Sequence, residues 1–93
     1  MGSCYLLHFD KPYKHAKHYL GYVDGDDDAI NERTILHYNG QGANLTKVIK
    51  EAGIGFTIAR TWHNVDRHFE RQLKIQGGHS RKCPICKQLK RKL

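Results

Sequence analysis

Apolar and aromatic residues at the start of the chain fall into two short runs. Residues 3–9 form the first run, which ends at the turn signal Asp10-Lys11-Pro12, and residues 18–23 form the second. Runs of this length next to turn residues predict β-strands. The polar connection between them has no helical period, so the simplest arrangement is an antiparallel hairpin.

Two helices are predicted after this hairpin. The first runs from about Asp27 to Tyr38: acidic residues suit its N-terminus, and Asn39-Gly40 end it. The second begins at Asn44, which serves as its cap, and Gly53 ends it. The apolar stripe of the second helix consists of Leu45, Val48, Ile49 and Ala52.

The hydrophobic period then changes to two between Ile54 and Trp62, which predicts a third strand. Asn64 is the predicted cap of a third helix, which Gly77-Gly78 ends. Its apolar stripe consists of Val65, Phe69 and Leu73. The fold class is therefore α/β (α+β), with a central three-stranded, mostly antiparallel sheet flanked by helices.

The length and charge of the chain indicate its domain organisation and the kind of partner it binds. The 93 residues suffice for one domain, which we expect over residues 1–76, followed by a basic tail over 77–93. The net charge of +7 arises in the last third, where residues 61–93 hold nine Lys/Arg and two Asp/Glu. Such segregation favours a polyanionic partner, and a solubilising tail is the alternative.

The expected cellular location of the protein and the redox state of its cysteines follow from the absence of membrane-spanning and secretion signals and from the number of cysteines. No apolar run reaches the roughly 20 residues that span a bilayer, and no secretion signal is evident. The three cysteines are an odd number, so reduced thiols are expected rather than a disulfide framework. We expect a cytoplasmic protein without a membrane partner.

Five polar residues form a chemically coherent set. Tyr5 and Tyr19 lie in neighbouring predicted strands, and Arg33 and His37 lie one turn apart on one helix face. Glu70 is a carboxylate surrounded in sequence by cations. One interpretation is a surface residue that pairs with Lys74 at i+4. The other is the ligand of a metal cation that faces a phosphate. In the second interpretation, the neighbouring lysines and arginines bind the phosphate and do not pair with Glu70.

These residues resemble a known family. Ser3-Cys4-Tyr5, Tyr19-Leu20-Gly21, Arg33, His37 and Glu70 resemble the ordered signature of the GIY-YIG nucleases, over about residues 3 to 75. Ser3 and Cys4 stand where the family has Gly and Ile, and no lysine follows Gly21, where several relatives have one.

The resemblance implies a divalent-metal-dependent DNA endonuclease. Glu70 would be the sole protein ligand of Mg²⁺ or Mn²⁺, and Arg33 would bind the scissile phosphate. His37 would orient water or a phosphate oxygen, or relay a proton. Tyr5 would be the general base, with Tyr19 beside it. This role requires a cation close enough to Tyr5 to lower the pKa of its phenol from about 10. The residues expected to grip the DNA backbone are Arg71, Lys74, Arg81, Lys82 and Lys87.

The cysteines at the C-terminal end form a separate candidate. Cys83-Pro84-Ile85-Cys86 is half of a structural zinc site, and His79 is the candidate third ligand. The candidate fourth ligands are His15, His63 and His68. A Pro-containing turn with two reduced cysteines is the alternative to zinc.

Two other functions compete with the nuclease. One is a module of the same architecture that binds nucleic acid without cutting it. The other is a zinc-stabilised interaction protein whose basic tail docks an acidic partner.

Overall fold

The computed structural model describes residues 2–14, 16–40, 44–77 and 82–91. It confirms the predicted fold class: a small α+β domain built on a three-stranded antiparallel sheet. The elements, in chain order, are β1 (Gly2–Tyr13), β2 (Ala16–Val23), α1 (Asp27–Tyr38), α2 (Asn44–Glu51), β3 (Phe56–Val65), α3 (Arg67–Gln76) and α4 (Pro84–Arg91). No helix in these ranges is long and apolar enough to cross a bilayer.

The sheet has the order β2-β1-β3, with antiparallel pairing on both sides of β1. Tyr5 pairs with Gly21 on β2 and with Thr61 on β3. The hairpin is longer than predicted, because β1 continues through the exposed residues 10–12 and β2 begins at Ala16. The polar connection is thus part of a two-stranded ribbon, with an irregular register between His8 and Tyr13.

Side chains of β1 alternate between two cores. Tyr5, Leu7 and Phe9 pack on the face covered by α1 and α2, where Ile30 and Ile49 are buried. Cys4 and Leu6 pack on the opposite face, with Leu73 of α3 and with Cys83. Burial on both faces explains why the start of β1 is an almost unbroken apolar run.

The start of α3 corrects one prediction. Its cap is Asp66, whose carboxylate accepts a hydrogen bond from the Phe69 backbone N–H at 2.9 Å. Asn64 instead lies in β3 with φ of 58°, a left-handed conformation that asparagine tolerates better than most residues. Val65 therefore belongs to the strand, whereas Phe69 and Leu73 pack from α3 as expected. Gly77 ends α3 at φ of 63°.

The C-terminal segment contains a helix that its sequence pattern does not predict. Pro84 occupies the first position of α4, where a missing backbone N–H costs nothing. Cys83 is fully buried against the sheet, and Ile85 and Cys86 pack around the same core. Residues 83–86 are therefore packed on the domain.

Gly21 is required by the close approach of the Tyr5 ring. A Cβ atom at Gly21 would overlap the Tyr5 ring and hydroxyl across the β1–β2 pair. We expect Gly21→Ala to lower the free energy of unfolding by about 1 to 3 kcal/mol, because this core side chain has no room to move. Urea unfolding measures the change.

Gly53→Ala is the matched control for this substitution. Gly53 has φ of 74°, and a Cβ added to it would meet no atom within 4 Å, so the alanine variant reports backbone strain without a clash. A Gly21→Ala variant as stable as the wild type would contradict the steric account.

Candidate functional site

All five residues of the predicted constellation line one cavity of about 290 Å³ at the β2 edge of the sheet. It opens where α1, on one face of the sheet, and α3, on the other, both approach β2. Its lining residues are Tyr5, Tyr19, Tyr22, Arg33, His37, Arg67 and Glu70. A larger cavity of about 430 Å³ lies at the start of α1, but Asp26 and Asp27 line it and disfavour a phosphate ligand.

A hydrogen-bonded chain fixes the floor of the cavity. The Tyr5 hydroxyl lies 2.7 Å from His37 Nε2, and His37 Nδ1 lies 2.9 Å from the Thr46 hydroxyl on α2. All three side chains are almost fully buried. The Tyr19 ring packs edge-on against the imidazole, with 5.2 Å between ring centroids. Tyr5 and His37 are thereby held in fixed orientations.

Burial keeps this chain neutral. Burial and the Arg33 guanidinium lower the pKa of His37 to about 4, so its imidazole is uncharged at neutral pH. Burial, followed by the neighbouring Tyr19, raises the pKa of Tyr5 well above its ordinary value. Burial and Glu70 raise the pKa of Tyr19. A general base needs the opposite shift, and Arg33, which favours the phenolate, is outweighed by burial at both tyrosines.

Glu70 lies in the first turn of α3, and its side chain is 20% exposed. Lys74 Nζ lies 3.7 Å from Glu70 Oε2. The expectation that nearby cations leave this carboxylate unpaired is therefore not met. The contact is long and its lysine is 55% exposed, so it holds the carboxylate weakly.

Two lining residues, Tyr22 and Arg67, lie outside the predicted set. Arg67 stands three residues before Glu70 on the same face of α3, and its guanidinium lies 5.6 Å from the centre of the Tyr22 ring. Their helical spacing is a signal in the sequence that could have linked Arg67 to Glu70. Tyr22 points to the face opposite Tyr19, and it joins the site because the cavity wraps around the strand edge.

The predicted DNA-backbone contacts differ in their availability. Arg71 and Lys74 are exposed on α3, and Lys87 is exposed on α4. Lys82 is half-buried, and its ammonium donates a hydrogen bond to the Gly77 carbonyl at 2.9 Å. Arg81 lies outside the described residues.

A second constellation could hold a metal ion on the opposite face of the sheet. The ligand atoms of His8, His18, Cys83 and Cys86 all lie within 4.8 Å of one another. The structure thus joins the predicted cysteine pair to two histidines that the sequence prediction misses. Of the histidines considered from sequence, His63 and His68 are exposed and make other contacts, whereas His15 and His79 lie outside the described residues.

Comparison of the chain with protein-family models, with curated proteins and with solved structures finds no match. The function is therefore inferred from the side chains of the two constellations and from the resemblance of the first to the GIY-YIG signature.

Proposed function

We propose that this protein is a divalent-metal-dependent endonuclease that hydrolyses DNA phosphodiester bonds in the cavity at the β2 edge. The observation that supports the proposal is the convergence of phenols, a neutral imidazole, guanidinium groups and one carboxylate from β1, β2, α1 and α3. These residue types supply what phosphodiester hydrolysis needs, and five of the seven lining residues are those that resemble the GIY-YIG signature.

The Glu70 carboxylate suits a magnesium or manganese ion. Mg²⁺ keeps most of its water ligands and typically takes one or two protein carboxylates, and Glu70 offers one at the wall of a cavity of about 290 Å³ that has room for these waters. The weak contact with Lys74 is compatible with displacement by a divalent cation. When bound, the metal supplies positive charge that favours phenolate and phosphate oxygens, which burial alone disfavours.

Two guanidinium groups are available for the phosphate. Arg33 enters the cavity from α1 and Arg67 from α3, and both residues are exposed. Within the described part of the chain neither forms a salt bridge. Their planar donors can bind phosphate oxygens on two sides and stabilise the charge that develops in the transition state.

The hydrogen-bonded chain positions the tyrosine that would contact the attacking water. In one neutral tautomer, His37 Nδ1–H donates a hydrogen bond to Thr46 and Nε2 accepts one from the Tyr5 hydroxyl. The Tyr5 oxygen also shares a hydrogen bond with the neighbouring Tyr19 side chain, and the two phenols together would contact water in the cavity. His37 thus acts as a positioning residue that keeps the phenol oriented.

The DNA partner and the compartment belong to the same proposal. Arg71, Lys74 and Lys87 are exposed cations that would contact the phosphate backbone without reading sequence. Cys4, Cys83 and Cys86 are not joined by a disulfide bond, which suits a reducing compartment and supports a cytoplasmic location.

Plasmid nicking tests the nuclease proposal. Purified protein is incubated with supercoiled plasmid in Mg²⁺ or Mn²⁺, and in excess chelator, beside Glu70→Gln. We expect metal-dependent nicking by the wild type and a loss of about 100-fold or more in the variant, because the neutral amide binds a divalent cation poorly. Glu51→Gln, which removes an exposed carboxylate at the end of α2, is the control. Wild-type rates from Glu70→Gln would remove Glu70 as the metal ligand.

A nucleic-acid-binding module that does not cut is the second candidate. The raised pKa values of Tyr5 and Tyr19 and the proximity of Lys74 to Glu70 favour it. It predicts salt-dependent binding of labelled DNA, measured by fluorescence anisotropy, without cleavage of plasmid, branched DNA or RNA. That combination of results would replace the nuclease proposal.

A further inference from the structure

Four metal-ligating side chains converge from three parts of the chain that are distant in sequence. His8 on β1 and His18 on β2 are directly paired across the hairpin. Cys83 directly precedes α4 and Cys86 lies in its first turn, and this helix packs on the same face of the sheet. The hairpin and the C-terminal helix therefore meet at this cluster.

Four of the six separations between the ligand atoms are close to those of a tetrahedral zinc site, and the other two are at most 4.8 Å. With Zn–N bonds of about 2.05 Å, Zn–S bonds of about 2.3 Å and angles of about 109°, neighbouring nitrogens lie about 3.3 Å apart, and nitrogen and sulfur about 3.6 Å apart. The two nitrogens, His8 Nδ1 and His18 Nε2, lie 3.3 Å apart. His8 Nδ1 lies 3.4 Å from Cys83 Sγ and 3.5 Å from Cys86 Sγ. Cys86 Sγ lies 3.3 Å from His18 Nε2.

The surroundings of the cluster favour a structural metal. Cys83 is fully buried, and the other three ligands are half-buried. The Cys86 backbone N–H donates to Cys83 Sγ at 3.5 Å, an outer contact that stabilises a thiolate. Four protein ligands complete a tetrahedral shell and leave no position for a substrate, as in structural rather than catalytic zinc sites.

We propose that His8, His18, Cys83 and Cys86 bind one structural zinc ion, which anchors helix α4 to the β1–β2 hairpin. Two thiolates and two imidazoles suit zinc and disfavour Mg²⁺, which prefers oxygen ligands. The site is distinct from Glu70 and does not depend on nuclease activity. Its occupancy fixes the position of α4, which presents Lys87 to solvent.

Metal analysis of the full chain tests the site. The protein is purified in reducing buffer without chelator, and its zinc content is measured by elemental mass spectrometry. Metal-free protein is then titrated with Zn²⁺ and, separately, with Co²⁺. We expect about one zinc per chain and a cobalt complex with the intense visible absorption and sulfur charge-transfer bands of tetrahedral thiolate coordination. Absence of stoichiometric zinc, or a cobalt spectrum without sulfur ligation, would overturn the proposal.

Substitutions test the identity of the ligands. We expect Cys86→Ser and His18→Gln each to weaken zinc binding by about 100-fold or more, since loss of a direct ligand exceeds the 10- to 100-fold cost of losing an outer contact. His68→Gln removes an exposed imidazole outside the cluster and should keep wild-type affinity. Wild-type affinity in both Cys86→Ser and His18→Gln would exclude this ligand set. The measurements on the wild type remain decisive if a variant fails to fold.

Discussion

Arg33→Ala is expected to lower the rate of metal-dependent DNA cleavage by about 10²- to 10³-fold while leaving the free energy of unfolding almost unchanged. Arg33 is exposed, so truncation opens no cavity in the core. It lines the same cavity as Glu70 and the two tyrosines, where its charge would face the phosphate. Arg33→Lys should restore only part of the rate, because an ammonium group cannot reproduce the planar pair of donors.

Single-turnover cleavage at saturating protein separates the chemical step from binding. Arg71→Ala is the matched control, because Arg71 is an exposed arginine that does not line the cavity. It should weaken DNA binding and reduce the salt dependence of binding, with little effect on the saturated rate. If Arg33→Ala cleaves as fast as the wild type under these conditions, Arg33 has no role in stabilising the transition state.

The parts of the fold that local signals specify could be predicted from sequence. Helix α1 runs from Asp27 to Tyr38, as predicted. Asp26 caps its N-terminus, acidic residues occupy its first turn, and Asn39 ends it. The helix ends at Gly53 and Gly77 are likewise local, since both glycines adopt positive φ. The apolar runs identify the strands, and alternation across β1 explains why both sheet faces are covered.

The errors arise where contacts distant in sequence decide the structure. The ribbon through residues 10–12 is polar and exposed, so hydrophobic period carries no signal for it. Asn64 is a good cap residue in isolation, yet pairing of β3 with β1 extends the strand past it. Helix α4 is short and basic, and the burial of Cys83 in the second core helps to hold it in place.

The sequence could predict that the five residues of the candidate active site share a cavity, but not their electrostatics. The order of motifs and the helical spacing of Arg33 and His37 identify residues that do share a cavity. Their protonation depends on burial and on contacts such as Tyr5 to His37, which join residues 32 apart in sequence. The contribution of Arg67 depends on how α3 packs against the edge strand.

The cluster of His8, His18, Cys83 and Cys86 could likewise be predicted only in part, because its ligands are distant in sequence. The Cys83–Cys86 spacing is typical of half of a zinc site, but it does not indicate which histidines supply the other ligands, and the candidates taken from sequence are His79, His15, His63 and His68. His8 lies 75 residues from Cys83. Only the pairing of His8 with His18, together with the packing of α4 on that face, brings the four ligand atoms together.

Acid should destabilise the protein through His37. Its pKa is about 4 in the folded protein and 6.5 in the unfolded chain, so the unfolded state binds more protons between these values. The stabilisation is fully present above pH 6.5 and is lost as the pH falls toward 4. We expect a loss of about 1 kcal/mol per pH unit, up to about 3 kcal/mol in total.

Urea unfolding of the wild type and of His37→Gln between pH 4 and 7 measures the contribution of His37 to the free energy of unfolding. Tyr5 and Tyr19, which face His37, stay protonated throughout the range because burial raises the pKa of both phenols. The difference between the two stability curves is the relevant quantity, because it isolates the contribution of His37. That difference should shrink as the pH falls, because the glutamine variant lacks the buried imidazole. His68→Gln, at an exposed histidine, should follow the wild-type curve. Parallel curves for the wild type and His37→Gln would mean that the imidazole takes up its proton in the folded protein as readily as in the unfolded chain.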